Sequence, residues 1–268
     1  MKNQLCLVVG LLVYLTCPAQ IVSSARVLAT GGQALGLSND IGSLLSNPAG
    51  VGSLRRPTVH LAHRYYNHQP DVSAQTILLS YPIHNFHLST SFKQYGLPDA
   101  YRDSEWGFYF GRRFGPDLRI AMGFHSQQIK IPGYVDERFA GLSMHAQYDV
   151  GAYWTIGVGI DGLSLTSGGE GLPSAQARLK VGGLYRMGEL VWMVGDVIYQ
   201  EGDPLRVHGG LEYQLVADQV FLRFGLSSEG TLPAAGFGLA IGRFRFDLGS
   251  TIHTQLGISP QFDLSVLL

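Results

Sequence analysis

The feature of this sequence that most constrains its fold is a period-two alternation of apolar and polar side chains from about residue 57 to the C-terminus. In residues 118–125, for example, Leu118, Ile120 and Met122 alternate with more polar or smaller side chains. Successive side chains of a β-strand point to opposite faces, so this alternation predicts strands with one apolar and one polar face. We count about fourteen such segments, at 58–66, 74–82, 86–95, 104–113, 118–130, 138–149, 153–165, 174–186, 190–200, 205–216, 219–227, 232–241, 243–252 and 261–268.

Alternation alone does not say whether the apolar face is hidden in a soluble sandwich or faces lipid in a membrane barrel. Asp, Glu, Lys and Arg form only 15% of the 268 residues, against about 25% in ordinary soluble domains. The segments are close to the roughly 9–11 residues that cross a membrane as a tilted strand. The connections after odd-numbered segments are also longer, as in outer-membrane barrels. We therefore predict an all-β fold, a transmembrane antiparallel up-and-down β-barrel of about 14 strands, with a secreted soluble β-sandwich as the alternative.

The first 19 residues have the three parts of a secretory signal peptide. Lys2 is followed by an apolar stretch, and Cys17-Pro18-Ala19 forms a small-residue exit. This pattern predicts cleavage near Ala19 and export to the outer membrane of a Gram-negative bacterium. Acylation of Cys17, as in a lipoprotein, is an alternative. It requires a small residue before the cysteine, and Thr16 fits that requirement poorly. Both cysteines, Cys6 and Cys17, lie in this segment, so the mature chain offers neither a disulfide nor a thiolate metal ligand.

The cost of charge in lipid fixes which face of the strands is inside. An Arg or Lys costs roughly 2–4 kcal/mol on the lipid face at the bilayer midplane, so the polar face is predicted to line the lumen. The predicted lumen-lining residues include Glu105, Arg119, His125, His145, Asp149, Asp161, Arg178, Lys180, Arg206, His208, Glu212, Arg223, Arg245 and Asp247. Glycines on the same face leave space for something small: Gly107, Gly123, Gly157, Gly159, Gly182, Gly210 and Gly225.

Several function classes are disfavoured. A net charge of −1, from 19 basic and 20 acidic residues, gives no electrostatic footprint for nucleic acid. The run 157–162 matches G-x-G-x-x-G, but that motif binds a dinucleotide only where it opens a helix. His60 and His63, like His84 and His87, are three residues apart and would face opposite sides of a strand. We therefore predict no cofactor and no metal.

A Ser-His pair could serve a lipid hydrolase of the outer membrane. Ser143 with His145, and Ser89 with His87, share a strand face. The sequence places no acidic residue to orient either histidine, and polar lumen residues explain both pairs. We therefore predict that the protein is not an enzyme.

Residues 20–56 lack the alternation and are rich in Gly, Ala, Ser and Asn. A short helix is predicted at about 40–46, capped by Asn39 or Asp40 and ended by Pro48. The segment could be a periplasmic tail, a pairing arm or a plug inside the lumen.

The motifs of this segment resemble the N-terminal signature of the FadL-like and PorV/PorQ-like outer-membrane barrels. They are the run 25–32 (ARVLATGG), Asn39-Asp40, and the run 46–50 (SNPAG). The resemblance is close over roughly 30 residues and otherwise covers only the strand pattern and the ending 256–268. It implies that residues 20–56 fold into the barrel as a hatch, with Asn47, Pro48, Ala49 and Gly50 as its motif. The domains are then the signal peptide 1–19, the hatch 20–56 and the barrel 57–268.

The resemblance leaves two functions open. PorV-like members are associated with type IX protein secretion, which implies a non-enzymatic accessory that binds secretion-machinery proteins or exported cargo. FadL-like members imply a passive channel for a hydrophobic ligand, gated by the hatch. FadL-like transporters build an outer pocket from long loops, and the outer loops here are brief. The sequence therefore favours the secretion accessory, with the channel as the alternative. Both place the protein in contact with outer-membrane lipid.

Overall fold

Fourteen strands form a closed antiparallel barrel in which each strand pairs with its sequence neighbours and the first pairs with the last. The structure is a computed structural model that describes residues 23–66, 69–165, 176–228, 232–253 and 257–268, so the predicted signal peptide lies outside the described residues. The predicted fold is confirmed. The strands are β1 Thr58–Tyr66, β2 Gln69–Ile83, β3 Phe86–Leu97, β4 Tyr101–Phe114, β5 Leu118–Ile131, β6 Val135–Val150, β7 Trp154–Ser164, β8 Arg178–Met187, β9 Val191–Gln200, β10 Arg206–Val216, β11 Val220–Ser227, β12 Leu232–Ile241, β13 Phe244–His253 and β14 Gly257–Leu267.

Several strands extend further than predicted at the end of the barrel opposite the chain termini. β2 begins at Gln69 and β6 at Val135, although their alternation becomes clear only at about 74 and 138. A hairpin ladder is formed by backbone groups, so it continues beyond the apolar band that marks the membrane. The connections 98–100 and 132–134 are consequently no longer than the turns 115–117 and 151–153 at the other end. Loop length is therefore weaker evidence for orientation than the sequence suggested.

Closure of the barrel satisfies the backbone within the membrane. β1 and β14 pair from Thr58 opposite Leu267 to Arg64 opposite Gln261. Leu268 N then donates to Pro57 O at 2.8 Å, which extends this seam by one bond. Lipid offers no partner for a backbone N–H or C=O, so a spanning sheet needs such a closed ladder.

The outer face of the barrel is apolar and the inner face is polar. On β4, Phe108 and Phe110 expose 54% and 50% of their surface. On the opposite face of the wall, Arg119 and Arg223 are 3% and 0% exposed. Soluble monomers rarely expose large contiguous apolar patches, so lipid is the medium that suits this outer face, and the sandwich alternative is excluded.

In residues 23–57, which the structure describes, three short helices precede β1, and each begins at a capping side chain. They are α1 Ala25–Ala29 and the 3₁₀ helices η1 Ile41–Leu45 and η2 Pro48–Ser53. Ser24, Asp40 and Asn47 accept hydrogen bonds from the first turns of α1, η1 and η2, as N-cap residues do. The stretch predicted as a helix corresponds to η1. In the described part of the chain, no helix has both the length and the apolar character needed to cross a membrane.

The buried apolar core forms where these helices meet the inner wall. One cluster contains Ile41, Leu44, Val51 and Leu54 of the N-terminal segment with Leu78 of β2 and Tyr109 of β4. A second contains Val27, Ala34 and Leu37 with Leu184 of β8. The N-terminal segment therefore lies inside the barrel, where it supplies most of the residues of both clusters.

Candidate functional site: the hatch and the lumen

The hatch, which the structure describes from residue 23 to residue 56, is tied to the inner wall through its backbone. Its hydrogen bonds reach β9, β10 and β14 on one side of the barrel, and Gln147 of β6 donates to Leu35 O and Leu37 O on the other side, so the segment spans the lumen. The hydrogen bonds run from Ala25 N to Asp263 Oδ2 (2.5 Å), from Gln261 Nε2 to Ser23 O (2.6 Å), from His208 Nδ1 to Gly31 O (2.6 Å) and from Leu35 N to Asp196 Oδ1 (2.9 Å). Wall side chains thus satisfy the polar backbone that a buried, irregular segment would otherwise leave unpaired.

Asn47, in the Asn-Pro-Ala-Gly motif, joins two parts of the hatch to the wall. Its Oδ1 accepts from Ala49 N at 3.0 Å, which caps η2. Its Nδ2 donates to Leu35 O at 2.9 Å and to Ala146 O of β6 at 3.2 Å. A Cβ at Gly50 would collide with Leu37 O, so glycine is needed where the two hatch segments cross.

Six charged side chains form a closed ring that links the hatch to β10, β11 and β13. Arg26 and Asp40 come from the hatch and the other four from the wall, and three cations alternate with three anions. The ion pairs are Arg26 Nη2–Glu212 Oε1 (2.6 Å), Glu212 Oε2–Arg223 Nε (2.6 Å), Arg223 Nη1–Asp247 Oδ1 (2.8 Å), Asp247 Oδ2–Arg245 Nε (2.8 Å), Arg245 Nη1–Asp40 Oδ2 (3.8 Å) and Asp40 Oδ2–Arg26 Nη1 (2.7 Å).

The electrostatics of the ring keep its hatch members ionised. Burial lowers the pKa of Arg26, but the charges of Glu212 and Asp40 outweigh burial and raise it above its usual value. Burial raises the pKa of Asp40, but the charges of Arg26 and Arg245 hold it well below its usual range. Removing one partner of a buried ion pair typically costs about 3–5 kcal/mol. The ring therefore fixes this side of the hatch firmly.

The glycines predicted to leave space beside the wall divide into two groups. At Gly225, Gly210 and Gly157 an added Cβ would collide with the hatch backbone at Gly31, Thr30 and Leu35. At Gly107, Gly123, Gly159 and Gly182 it would collide with inward side chains of the wall itself. The first group of glycines therefore makes room for the hatch.

A cavity of about 270 Å³ lies in the half of the lumen opposite the chain termini, the half predicted to face outward, on the side of β3 to β8. Hatch residues form part of it: Leu44, Leu45 and Pro48. Four aromatic rings contribute to its wall: Tyr95, Tyr101, Tyr109 and Phe139. The cavity therefore joins the outer mouth of the barrel to the hatch.

Two chains of charged and polar side chains border this cavity. The first runs from Lys93 Nζ to Glu105 Oε1 (2.8 Å), from Glu105 Oε1 to His125 Nδ1 (3.1 Å) and from His125 Nε2 to Ser143 Oγ (2.8 Å). The second runs from Lys180 Nζ to Asp161 Oδ2 (2.5 Å) and from Asp161 Oδ1 to His145 Nε2 (2.8 Å). Each chain consists of a lysine, a carboxylate and a histidine on adjacent strands.

Ser143, His125 and Glu105 have the connectivity of a nucleophile, a base and an orienting acid. Sequence reasoning paired Ser143 with His145 of the same strand and found no acid, because the true neighbours lie on β5 and β4. Ser143 is 0% exposed, so its hydroxyl does not reach a substrate in the cavity. Ser89 bonds to Ser80 Oγ at 2.8 Å. The arrangement therefore fits a structural network better than a hydrolase.

Arg178 also lines the cavity, whereas Arg119, Asp149 and Arg206 lie away from it. Arg119 pairs with Asp149 at 2.7 Å towards the end with the termini, and Arg206 pairs with Asp203 at 2.6 Å at the opposite rim. No group of three or more His, Cys, Asp or Glu side chains within the described ranges could hold a metal ion. The predicted residues thus divide among the ionic ring, the cavity and the two rims, except for His208, which binds the hatch backbone at Gly31.

These features define a class of protein, a hatch-bearing barrel of fourteen strands that resides in the outer membrane. No family model and no curated protein matches the sequence. Among solved structures, the toluene transporter TbuX of Ralstonia pickettii matches with a TM-score of 0.63 and 12% identity, over 92% of this chain and 98% of that one. A FadL homologue of Pseudomonas aeruginosa matches with a TM-score of 0.67 and 11% identity, over 91% and 97%. The toluene transporter TodX of Pseudomonas putida matches with a TM-score of 0.64 and 10% identity, over 92% and 98%.

At such low identity the similarity shows the fold alone, and that fold is the FadL-like one. The matched structures are transporters of hydrophobic compounds and a FadL homologue. This finding contradicts the prediction of a PorV/PorQ-like secretion accessory with secretion-machinery or cargo partners. The prediction was wrong because the motifs at 25–32 and 46–50 serve the fit of the hatch to the wall, and both branches of the resemblance carry them.

Proposed function

We propose that the protein is a passive outer-membrane channel for small hydrophobic molecules. The observation that carries this proposal is the cavity between the outer mouth and the hatch, in a fold shared with transporters of such compounds. The apolar side chains of Leu44 and Leu45 at the hatch and the ring of Phe139 suit a hydrophobic ligand. The protein needs no catalytic group for this role, and we expect it to have no enzymatic activity.

The contacts of the hatch suggest where a molecule passes it. On the side of β10 to β13, moving the hatch would break the buried ion pairs of Arg26 with Glu212 and of Asp40 with Arg245, and removing one partner of a buried pair typically costs about 3–5 kcal/mol. On the side of β2 and β4, the hatch packs through apolar contacts of Leu44 and Val51 with Leu78 and Tyr109. A hydrophobic molecule can replace apolar contacts of this kind with its own. We infer that the hatch yields on the side of β2 and β4 while the ionic ring holds the opposite side.

The proposal includes the processing of the chain. Cleavage of the signal peptide 1–19 near Ala19 would leave the hatch 20–56 ahead of the barrel 57–268. The lumen-lining residues and the motif Asn47 to Gly50 would then serve to hold the hatch and shape the cavity. The expected partners are outer-membrane lipid and a small hydrophobic ligand.

Uptake by whole cells tests the channel. Expression in a Gram-negative host that lacks its own hydrophobic-compound channels should raise the initial rate of labelled toluene uptake over cells with an empty vector. A barrel of the same host that lacks a hatch and conducts only polar solutes is the control for general leakiness. Uptake no faster than with the empty vector, despite folded protein in the outer membrane, would contradict the proposal.

A further inference from the structure

Arg178 contributes to the cavity wall and has no ionic partner within the part of the chain that the structure describes. It opens β8 directly opposite Asp161 of β7. Asp161 is nevertheless fully used elsewhere, since its two oxygens bind His145 Nε2 at 2.8 Å and Lys180 Nζ at 2.5 Å. A guanidinium group is always charged and offers five donors. Arg178 therefore presents unused donors at the cavity.

The acidic groups of the opposite wall are already occupied. Glu105 binds Lys93 at 2.8 Å. Both carboxylate oxygens of Asp103 accept hydrogen bonds from Gln127 Nε2, at 2.9 and 3.0 Å. Near β8, by contrast, Lys180 takes Asp161 as its ion-pair partner, and no carboxylate of the described residues pairs with Arg178. The cavity wall near β8 therefore offers hydrogen-bond donors of Arg178 without a matching acceptor. An anionic acceptor would suit these donors best.

The rest of the cavity suits an aromatic ring. Tyr95 and Tyr101 lie edge to face with their ring centroids 6.0 Å apart, within the range of favourable aromatic pairs. Phe139 and Leu45 add apolar surface. The volume of about 270 Å³ is slightly below the roughly 300–1,000 Å³ of pockets that hold drug-sized ligands. A molecule with a single ring fits this size better than a long acyl chain.

We propose that the cavity selects small aromatic carboxylates, with the carboxylate on Arg178 and the ring against Tyr95, Tyr101 and Phe139. This inference rests on the proposed channel function and narrows its substrate class to molecules whose hydrophobic part is an aromatic ring and whose polar part is a carboxylate. A carboxylate forms charge-assisted, bidentate hydrogen bonds with a guanidinium group. A hydrocarbon of the same size would displace water from Arg178 without replacing its hydrogen bonds, which is unfavourable.

A series of probes on the wild-type protein tests the selectivity. Equilibrium dialysis of the protein in amphipol would compare benzoate, toluene and benzylammonium, which share a ring and differ in charge. We expect benzoate to bind about tenfold or more tightly than toluene, as a charged hydrogen bond allows, and benzylammonium to bind weakest. Toluene binding as tight as that of benzoate would overturn the selectivity and leave the channel intact. Absence of binding by all three, together with failed toluene uptake, would overturn both proposals.

A substitution then tests the residue. Arg178→Gln should weaken benzoate binding by about tenfold or more and leave toluene binding unchanged, and Arg178→Lys should restore part of the loss. The matched control is Arg102→Gln, because Arg102 is an exposed arginine in the outer part of β4. Benzoate binding unaffected by Arg178→Gln would overturn the assignment. Heat-modifiable migration on a gel verifies folding, and if the variant does not fold, the probe series decides by itself.

Discussion

At the scale of single residues, Glu212 is a member of the ionic ring that contacts both the hatch and the wall. It is 4% exposed, and its two oxygens bind Arg26 of the hatch and Arg223 of the wall. The bidentate contact with Arg26 is the kind of charged pairing that fixes geometry as well as energy. Glu212 therefore couples the hatch to the wall more directly than the apolar contacts do.

Glu212→Gln should loosen the hatch without unfolding the barrel. The amide leaves Arg26 and Arg223 short of negative charge in a buried site, at a cost of about 3–5 kcal/mol. We expect faster trypsin cleavage after Arg26 than in the wild type, measured on the protein in detergent. Glu189→Gln is the matched control, because Glu189 is exposed in the turn between β8 and β9. An Arg26 that remains as protected as in the wild type would show that the ring does not hold the hatch.

At the scale of elements, the hatch and the barrel differ in what stabilises them. The strands satisfy one another through a closed backbone ladder. The hatch depends on wall side chains, such as Asp196 and His208, for its backbone hydrogen bonds. The barrel should therefore fold without the hatch, whereas the hatch has little structure of its own to keep.

Deletion of residues 25–46 should leave a folded barrel with a wider opening. The wall then keeps two cations and two anions that still pair, so the deletion leaves no net charge in the ring. These residues are Arg223, Arg245, Glu212 and Asp247. We expect heat-modifiable migration like that of the wild type and a higher single-channel conductance in a planar bilayer. Glu212→Gln should give an intermediate conductance. If the deletion left conductance unchanged, the hatch would not be what closes the lumen.

At the scale of the whole molecule, the outer face of the barrel suits lipid and the inner face encloses the N-terminal segment. The buried apolar core therefore lies between the hatch and the inner wall. β2 illustrates this on neighbouring residues. Leu78 is 0% exposed and packs against the hatch, whereas Leu79 is 42% exposed on the outer face. Two leucines of equal hydrophobicity thus meet opposite surroundings.

Cysteine labelling distinguishes these two faces. Leu79→Cys and Ile120→Cys should react with a lipid-soluble maleimide in membranes, because both side chains lie on the outer face. Leu78→Cys and Ala121→Cys should stay unlabelled, because both are buried inside. The mature chain is expected to contain no other cysteine, so each signal is specific. Preferential labelling at 78 and 121 would mean that the two faces are inverted.

The sequence by itself determined the strands. One side of the barrel wall is apolar and the other is polar, so apolar and polar residues alternate along each strand. The alternation of β2 is blurred for a reason that the structure supplies. Its inner face carries Leu78 against the hatch, so apolar residues occupy both sides. The local pattern could not show this, because it does not reveal what fills the lumen.

Only the tertiary structure decided which polar side chains meet. Arg26 and Glu212 are 186 residues apart in the chain, and Ser143 finds its partner His125 on the neighbouring strand rather than two residues away. Such pairings depend on the register between strands and on the path of the hatch, which no local periodicity encodes. The prediction of a secretion accessory rather than a channel was wrong for the same reason. The hatch motifs specify a fit to the wall, whereas the cavity that points to a ligand arises from six neighbouring strands and the hatch together.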